Sequence, residues 1–352
     1  MTTRVLVAMS GGVDSSVAAA LLLEQGFAVE GATMKLTAGL CCDIGSAQTV
    51  CARLGIAHRV IDLRKEFEDQ VVRDFIDEYR AGRTPNPCIR CNDILKFETL
   101  LTYARANGFA RLATGHYARV EQKPGSSRAL LRQAADVDKD QSYFLYRLTQ
   151  DQLRSILFPL GGLRKTEVRR IAAERGLPSA KRPESQEICF VPDNDYRSFL
   201  REHAPDVLRE GEIVMTGGAV VGKHEGVAFY TVGQRRGLGV ASGGRLYVVR
   251  IEPDGNRVVL GQKRELDASR ALLSRVQLVS GERLTAPMQL EVKVRYRAAT
   301  QRAVVAPGES DRTVVDFEQP VAGVTPGQAA VLYDGDMVVG GGVIESAGSV
   351  PA

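Results

Sequence analysis

The chain has 352 residues, 44% of them hydrophobic and 25% charged, an ordinary globular composition that excludes a disordered chain, a collagen-like chain and a coiled coil. Its length suits two or three domains. The net charge of +4 is spread unevenly: residues 101–182 hold 16 Lys and Arg against 7 Asp and Glu, residues 263–302 hold 9 against 4, and residues 303–352 hold 1 against 7.

In chain order, Arg4–Met9 reads as a short buried strand, Ser10–Ser15 as a glycine-containing turn, and Ser16–Gln25 as a helix stopped by Gly26. Val29–Met34 is a second strand. Ser46–Leu54 reads as a helix capped by Ser46 and ended by Gly55, and His58–Ile61 as a third strand. Glu66–Tyr79 is a helix with apolar residues near i, i+4, i+8 spacing. Asp93–Asn107 is another helix, and Arg111–Thr114 a fourth strand. Strands alternating with helices of this length predict a parallel sheet covered on both faces. Residues 141–174 read as mostly helical, with a basic helix over Lys165–Glu174. Near Gly211 the texture changes to short β-rich runs separated by glycine: VVGKHEG, AFYTVGQ, RLYVVRI and NRVVLGQ. Beyond about residue 270 alternating strands follow, with a hairpin signal at Asp334-Gly335.

The expected architecture is an α/β chain. A doubly wound parallel sheet would occupy residues 1–205, a small β-rich module 206–268, and a C-terminal β-barrel 269–352. The longest uninterrupted apolar run, Val17 to Leu23, is seven residues, against about 20 for a membrane helix. The apolar start, Val5–Met9, is shorter than a signal-peptide core. The expectation is a cytoplasmic protein that spans no membrane.

Ser10-Gly11-Gly12-Val13-Asp14-Ser15-Ser16 links the first strand to the first helix. Ligands of open parallel sheets sit beyond the carboxyl ends of the strands. Paired glycines let backbone amides approach a phosphate, and the following helix points its own amides at the same anion. The Gly-Lys-Ser/Thr of a Walker A loop is absent, which disfavours γ-phosphate cleavage. The segment resembles the pyrophosphate loop of the N-type ATP pyrophosphatases, which cut ATP between the α and β phosphates. That resemblance implies Asp14 near the pyrophosphate, through Mg²⁺, and Met34 lining the adenine pocket.

All six cysteines, Cys41, Cys42, Cys51, Cys88, Cys91 and Cys189, lie in the first 189 residues. In a large cytosolic chain this points to chemistry or metal rather than disulfides. TPNPCIRCN leads into the helix expected from Asp93, so Cys91 would sit just before a helix N-terminus, where amide dipoles favour the thiolate. A CxxC is also compatible with a redox pair or half a metal site. Cys51 is expected to face its helix's core, with Cys41 and Cys42 in a loop after the second strand. His58 and His203 read as structural or exposed, while His224 lies in a β-rich turn able to touch RNA.

The ordered set SGGVDSS, TPNPCIRCN, TGHYAR, KDQSYFL, SQEICFV and HEGVAFYTVGQRRGLG resembles the tRNA-specific 2-thiouridylase family over nearly the whole chain. The resemblance implies ATP activation of C2 of the wobble uridine and replacement of its oxygen by persulfide sulfur, with release of AMP and pyrophosphate. It implies Cys91 as nucleophile and Cys189 as persulfide carrier. ATP would be held by Ala8, Met9, Ser10, Gly11, Gly12, Val13, Asp14 and Ser15, with Met34 and Gly115. Asn86, Pro87 and Cys88 would surround the target base. Lys139, Asp140, Gln141, Arg295 and Tyr296 would contact tRNA, and His116 and Gln328 would position its anticodon loop. The implied partners are tRNA, through its anticodon stem-loop, and a persulfide donor or relay protein, with the chain itself a monomer.

Many family members carry Asp where this chain has Cys88. The swap assembles Cys88, Cys91 and Cys189, a set able to ligate a [4Fe–4S] cluster, so a cluster and a persulfide–disulfide relay both stay open. Two other readings also stand at this point: an amidating ligase that uses the same ATP loop on a small acid, and an RNA-binding protein with a regulatory ATP site.

Overall fold

The computed structural model describes residues 2–37, 43–122, 125–180, 182, 188–241 and 244–348. Cys41, Cys42 and the Ser185–Glu187 part of the SQEICFV motif lie outside them.

The first module is built on five parallel strands: β1 (Arg4–Ala8), β2 (Ala28–Lys35), β3 (His58–Asp62), β4 (Arg111–Ala113) and β7 (Ile156–Leu157), in the order β3-β2-β1-β4-β7. Its central strand β1 buries Val5, Leu6 and Val7 completely, as expected of a strand covered on both faces. Helix α1 (Val13–Glu24) follows β1, and α2 (Ile44–Leu54) follows β2. The cap of α2 is Asp43, which accepts from the Ser46 amide at 2.9 Å; Ser46 itself stands inside the helix, and Gly55 ends it at φ 69°.

Two long helices carry local widening. Helix α3 covers 64–80, with π-helical Glu68–Val72 between α-helical Arg64–Phe67 and Arg73–Arg80. Helix α4 covers 87–106 and is π-helical over Cys91–Thr99. It therefore starts six residues before the expected Asp93. Pro87 takes its N1 position, where a missing N–H costs nothing, and Asn86 caps it.

The expected helical stretch 141–174 is interrupted. It contains a 3₁₀ turn at Ser142–Leu145, helix α5 (Gln150–Ser155), strand β7 and helix α6 (Lys165–Glu174). The hairpin β5 (Arg119–Gln122) and β6 (Ala129–Arg132) leaves the parallel sheet altogether and joins the C-terminal sheet by one pair, Met337 with Arg132. Asp336 fastens it, accepting from Arg119 at 2.7 Å and from Arg132.

Helix α7 (Tyr196–His203) leads to a four-stranded sheet of β8 (Gly211–Met215), β9 (Val220–His224), β10 (Tyr247–Glu252) and β11 (Arg257–Gly261), ordered β10-β11-β8-β9. The run AFYTVGQ is not a strand: Val227–Phe229 form a 3₁₀ turn and the remainder is loop. The last module holds β12 (Asp267–Leu278), β13 (Met288–Lys293), β14 (Gln301–Pro307), β15 (Thr313–Ala322), β16 (Ala329–Asp334) and β17 (Met337–Gly348). Strand β12 pairs with both β15 and β17, which closes six strands into a barrel. Its bend comes where the register shifts between Ser274 and Gln277, with Arg275 at φ 51°.

The modules share one apolar core. A buried cluster runs from Leu6 and Phe75 through Ile213 and Val248 to Val331 and Tyr333. A second cluster, including Leu273, Val292 and Val315, fills the barrel. Among the described residues no helix is long and apolar enough to cross a membrane.

Candidate active site

The turn after β1 is shaped by its glycines and serines. Gly11 has φ +79°, and a Cβ there would meet the Asp43 carbonyl oxygen at 2.7 Å. Ser15 and Ser16 hydroxyls donate to the Gly12 carbonyl at 3.1 and 2.8 Å. Gly115, just past β4, lies against this turn; a Cβ on it would meet the Ser15 nitrogen at 2.7 Å. Val13 is buried with Val17, Leu160 and Val168, so its side chain belongs to the core.

Beyond the strands' carboxyl ends lies a cavity of about 830 Å³. Of the residues expected to bind ATP, Ala8, Met9, Ser10, Asp14, Ser15, Met34 and Gly115 line it. Pro87, Cys88, Cys91, His116, Gln141 and Cys189 line the same cavity. The structure thus brings the nucleotide loop and three thiols to one space, although Cys189 is about 100 residues from the other two.

Packing explains how Cys189 arrives there. The neighbouring Phe190 is inserted among Phe67, Phe75 and Phe199, with ring centroids 5.4, 5.2 and 5.4 Å away. Such edge-on aromatic contacts fix a side chain's place. Cys189 and Cys88 are solvent-accessible and Cys91 is half-buried. Because α4 begins at Pro87, Cys91 stands inside the helix, at the start of its π-helical stretch, and the expected helix-start activation of its thiol does not apply. Cys88, in the first turn, has that position instead. Although its side chain reaches solvent, the protein atoms crowded around it desolvate the thiolate and push its thiol above the usual range; the nearby Cys189 adds to this and Lys96 opposes it. Cys51 is buried on α2, and desolvation raises its thiol to about 11, which makes it inert.

The structure lends the cluster alternative no support. Among the described residues no three His, Cys, Asp or Glu side chains are gathered so as to hold a metal ion.

Other expected residues fall in different places. His116 is buried, with Nδ1 2.7 Å from the Thr114 hydroxyl, and burial, helped by Lys96, holds its pKa well below the usual value. It is neutral at physiological pH. Gln141 accepts from the Tyr117 amide at 3.0 Å. Asp140 faces inward: its carboxylate accepts from the Ala134 amide at 2.9 Å and the Ser142 hydroxyl at 2.8 Å, which stitches a turn rather than presenting a surface. Tyr296 packs on Phe144 at 4.4 Å, which sets Arg295–Tyr296 of the barrel beside the segment after Lys139. The Gln328 side chain donates to the Thr84 and Pro85 carbonyls at 2.9 and 3.2 Å, so it holds the chain leading into Asn86 and Pro87. His224, read as part of a β-rich turn, is buried, with Nε2 3.2 Å from the Asn256 carbonyl. His58 meets Thr33 at 2.8 Å and His203 the Phe199 carbonyl at 3.0 Å, both in structural contacts.

Sequence reasoning missed several residues. Lys165 donates to both oxygens of Asp14 at 2.8 and 2.7 Å, and Tyr117 donates to the same carboxylate at 2.7 Å. A lysine at the first position of a helix opposes the helix dipole, and that was the available signal. Arg182 donates to the Gly11 carbonyl at 3.0 Å and to Asp43 at 2.6 Å, tying the nucleotide turn to the chain that leads toward Cys189. Asn92, next to Cys91, lines the cavity and buries its Oδ1 with no hydrogen-bond partner among the described residues.

Comparison with known proteins agrees with this arrangement. A family model described as a tRNA methyl transferase HUP domain matches residues 3–193, a tRNA methyl transferase PRC-barrel domain matches 197–262, and an aminomethyltransferase beta-barrel domain matches 269–344. The tRNA-specific 2-thiouridylase MnmA of Heliobacterium modesticaldum is 48% identical, covering 98% of this chain and 93% of that protein. Its namesakes in Pelotomaculum thermopropionicum and Acetivibrio thermocellus are 47% and 46% identical, covering 98% and 97% of this chain and 98% and 99% of theirs. Sharing nearly half of its residues with these proteins from end to end, the chain belongs to the tRNA-specific 2-thiouridylase family.

Proposed function

We propose that the protein uses ATP to exchange the C2 oxygen of the wobble uridine of tRNA for sulfur, releasing AMP and pyrophosphate. The observation that carries this reading is the single cavity lined by the nucleotide turn and by Cys88, Cys91 and Cys189. A domain description that mentions methyl transfer gives no role to three thiols beside a nucleotide turn; sulfur transfer does.

The C2 oxygen of uridine is a poor leaving group. Its attack on the α-phosphorus of ATP expels pyrophosphate and turns that oxygen into part of AMP, a good leaving group. Ser10 and Ser15 line the cavity, where the amides of the turn and the serine hydroxyls would meet the phosphates, and Met9, Met34 and Phe67 would give the adenine an apolar wall. Mg²⁺ takes one or two carboxylates together with nucleotide phosphates, and Asp14 is the carboxylate of the nucleotide turn that lines the cavity. The metal would neutralise phosphate charge. Lys165 shares that carboxylate and adds a fixed positive charge next to it.

The terminal sulfur of a Cys189 persulfide then attacks C2, and AMP leaves with the original oxygen. Attack of the Cys91 thiolate on the Cys189 sulfur breaks the S–S bond, leaves sulfur on the base, and forms a Cys91–Cys189 disulfide. A dithiol reductant resets both cysteines. The persulfide comes from a donor protein in the cytoplasm. A wobble base reaches such a pocket only when unstacked, and the basic segments and Arg295–Tyr296 supply phosphate and base contacts for that.

The test is a reconstituted reaction with ATP, unmodified tRNA and a persulfide donor, reading AMP, pyrophosphate and 2-thiouridine. tRNA-dependent AMP release with 2-thiouridine, lost in Cys91→Ser and Cys189→Ser, supports the reading. AMP release that needs a small acid instead of tRNA points to a ligase, and 2-thiouridine formation that survives both substitutions rejects the roles given to these thiols.

A further inference from the structure

The middle module contains a second hollow, of about 480 Å³, that shares no lining residue with the thiol cavity. Arg235, Gly237, Gly239 and Arg245 are on its wall. From Gly226 to Ile251 the chain has four arginines, Arg235, Arg236, Arg245 and Arg250, and no Asp or Glu. Arg250 is paired with Glu252 at 2.7 Å. Arg235, Arg236 and Arg245 are exposed, and none has a side-chain partner among the described residues.

The loop that carries them is built rather than loose. The Gly233 amide donates to the Val248 carbonyl at 2.8 Å, and the Val248 amide to the Gln234 carbonyl at 2.9 Å. The Gln234 side chain accepts from the Thr231 amide at 3.2 Å and donates to the Arg236 carbonyl at 3.0 Å. Leu238 and Leu246 are buried beneath. Gly237 and Gly239 have φ +67° and +69°, and a Cβ on Gly239 would meet nothing, so the turn at Gly239 leaves room for a ligand. Arg197 of α7 lies beside Gly237, its guanidinium 3.4 Å from where a Cβ would stand.

Unpaired arginines held together around a glycine turn repel one another and do nothing for folding. Forked guanidinium donors with accessible backbone amides are the chemistry that holds phosphate oxygens. A hollow this wide and open suits a run of backbone phosphates better than one small anion. We propose that it binds the sugar-phosphate backbone of tRNA outside the anticodon stem-loop. This rests on the reading of tRNA as substrate, and the reason for placing the contact beyond the stem-loop is that the hollow sits on a different sheet from both the thiol cavity and Arg295–Tyr296.

The experiment compares a full-length tRNA transcript with its isolated anticodon stem-loop, binding each to the wild-type chain and to the Arg235→Gln/Arg245→Gln and Arg235→Lys/Arg245→Lys variants across a salt series. The Gln pair is expected to weaken full-length tRNA about tenfold and to reduce the salt slope by roughly one to two. Stem-loop affinity stays within about twofold, and the Lys pair, which keeps the charge, recovers most of the loss. Equal losses on both RNAs, no loss on either, or equal wild-type affinity for the two RNAs overturns the inference while leaving the function standing. A wild-type chain that binds neither RNA overturns the function as well. Tripolyphosphate at matched ionic strength separates the two phosphate sources: saturable binding that the Gln pair abolishes, with full-length tRNA affinity untouched, would assign the hollow to a free polyphosphate and reject RNA.

Discussion

Lys165 and Asp14 form a two-pronged ion pair across 151 residues of chain, with Nζ 2.8 and 2.7 Å from the two carboxylate oxygens. The lysine is almost entirely buried and the carboxylate is about one third exposed, toward the cavity. A charge held this way is already in place when phosphate arrives, so little reorganisation is needed during reaction. Lys165→Ala is expected to lower tRNA-dependent pyrophosphate release about 100-fold, the usual scale for losing one preorganised electrostatic contact. Lys165→Arg retains the charge but not the fit and falls between. Unchanged pyrophosphate release in Lys165→Ala would reduce the pair to a structural tie between α1 and α6.

The thiols differ in their readiness to react. Desolvation by its surroundings, with Cys189 adding to it, raises Cys88 above the ordinary 9.0, so it is protonated at neutral pH. Iodoacetamide mapping by mass spectrometry should show slow modification of Cys88 at pH 7.5 and acceleration only as pH passes 9.0. Cys189→Ser should move that rise to lower pH, and Lys96→Ala to higher pH. Since the relay makes no use of Cys88, Cys88→Ser should keep thiolation within a few-fold of wild type. Protein purified without oxygen should carry no stoichiometric iron. About four irons per chain, with activity tracking them, would restore the cluster.

Much of this was legible because its signals are local. The nucleotide turn announces itself through two glycines and flanking serines, and the parallel sheet through strands and helices of regular length. The barrel follows from alternation and from Asp334-Gly335. The less legible features depend on distant partners. Pro87 reads as loop because proline usually breaks helices, yet at N1 it starts one, and that moved Cys91 inside α4. Asp140 is charged and reads as surface, but three donors of its own turn draw it inward. The hairpin β5–β6 is too short to show a pattern and is held by Asp336, over 200 residues away. Lys165 looked like one more cation on a basic helix.

Asn92 offers a test that separates stability from function. Its buried, unpartnered Oδ1 costs the free protein about 1–3 kcal/mol. A group left in that state beside Cys91, the proposed nucleophile, suits recognition of the incoming base. Asn92→Leu should therefore raise Tm while lowering kcat/KM for tRNA about tenfold, with the KM for ATP unchanged. A more stable variant with full activity would show that the amide has no part in recognition.

Gln328 links the barrel to the segment leading into Asn86 and Pro87 through the Thr84 and Pro85 carbonyls, and the Thr84 amide returns a bond to the Pro326 carbonyl at 2.9 Å. Gln328→Ala frees two part-buried acceptors just before Asn86 and Pro87. Small displacements of positioned groups cost up to about 100-fold in rate. The expectation is a lower kcat for thiolation with ATP affinity retained. Equal losses in ATP and tRNA affinity would instead indicate general loosening of the fold.

A second link between the modules is sensitive to acid. Glu78 on α3 is nearly buried and accepts from Arg83 at 2.6 Å and from Arg275 of β12 at 3.3 Å. Burial pushes its carboxyl up, but the two arginines outweigh this and its pKa falls below 4.5. A carboxylate whose pKa is lower in the folded chain contributes stability that is complete above the unfolded value and disappears as pH falls through the folded one. Between pH 6 and 8, Glu78→Gln should cost about 1–2 kcal/mol, reduced from the figure for a fully buried pair because both guanidinium groups reach solvent. As the pH falls through the folded-state value, which lies below 4.5, the wild-type carboxylate protonates too, and the difference should shrink toward zero. Denaturant melts of both proteins from pH 3 to 8 measure this. A gap that stayed constant down to pH 3 would mean that packing of the side chain, and not its charge, ties α3 to the barrel.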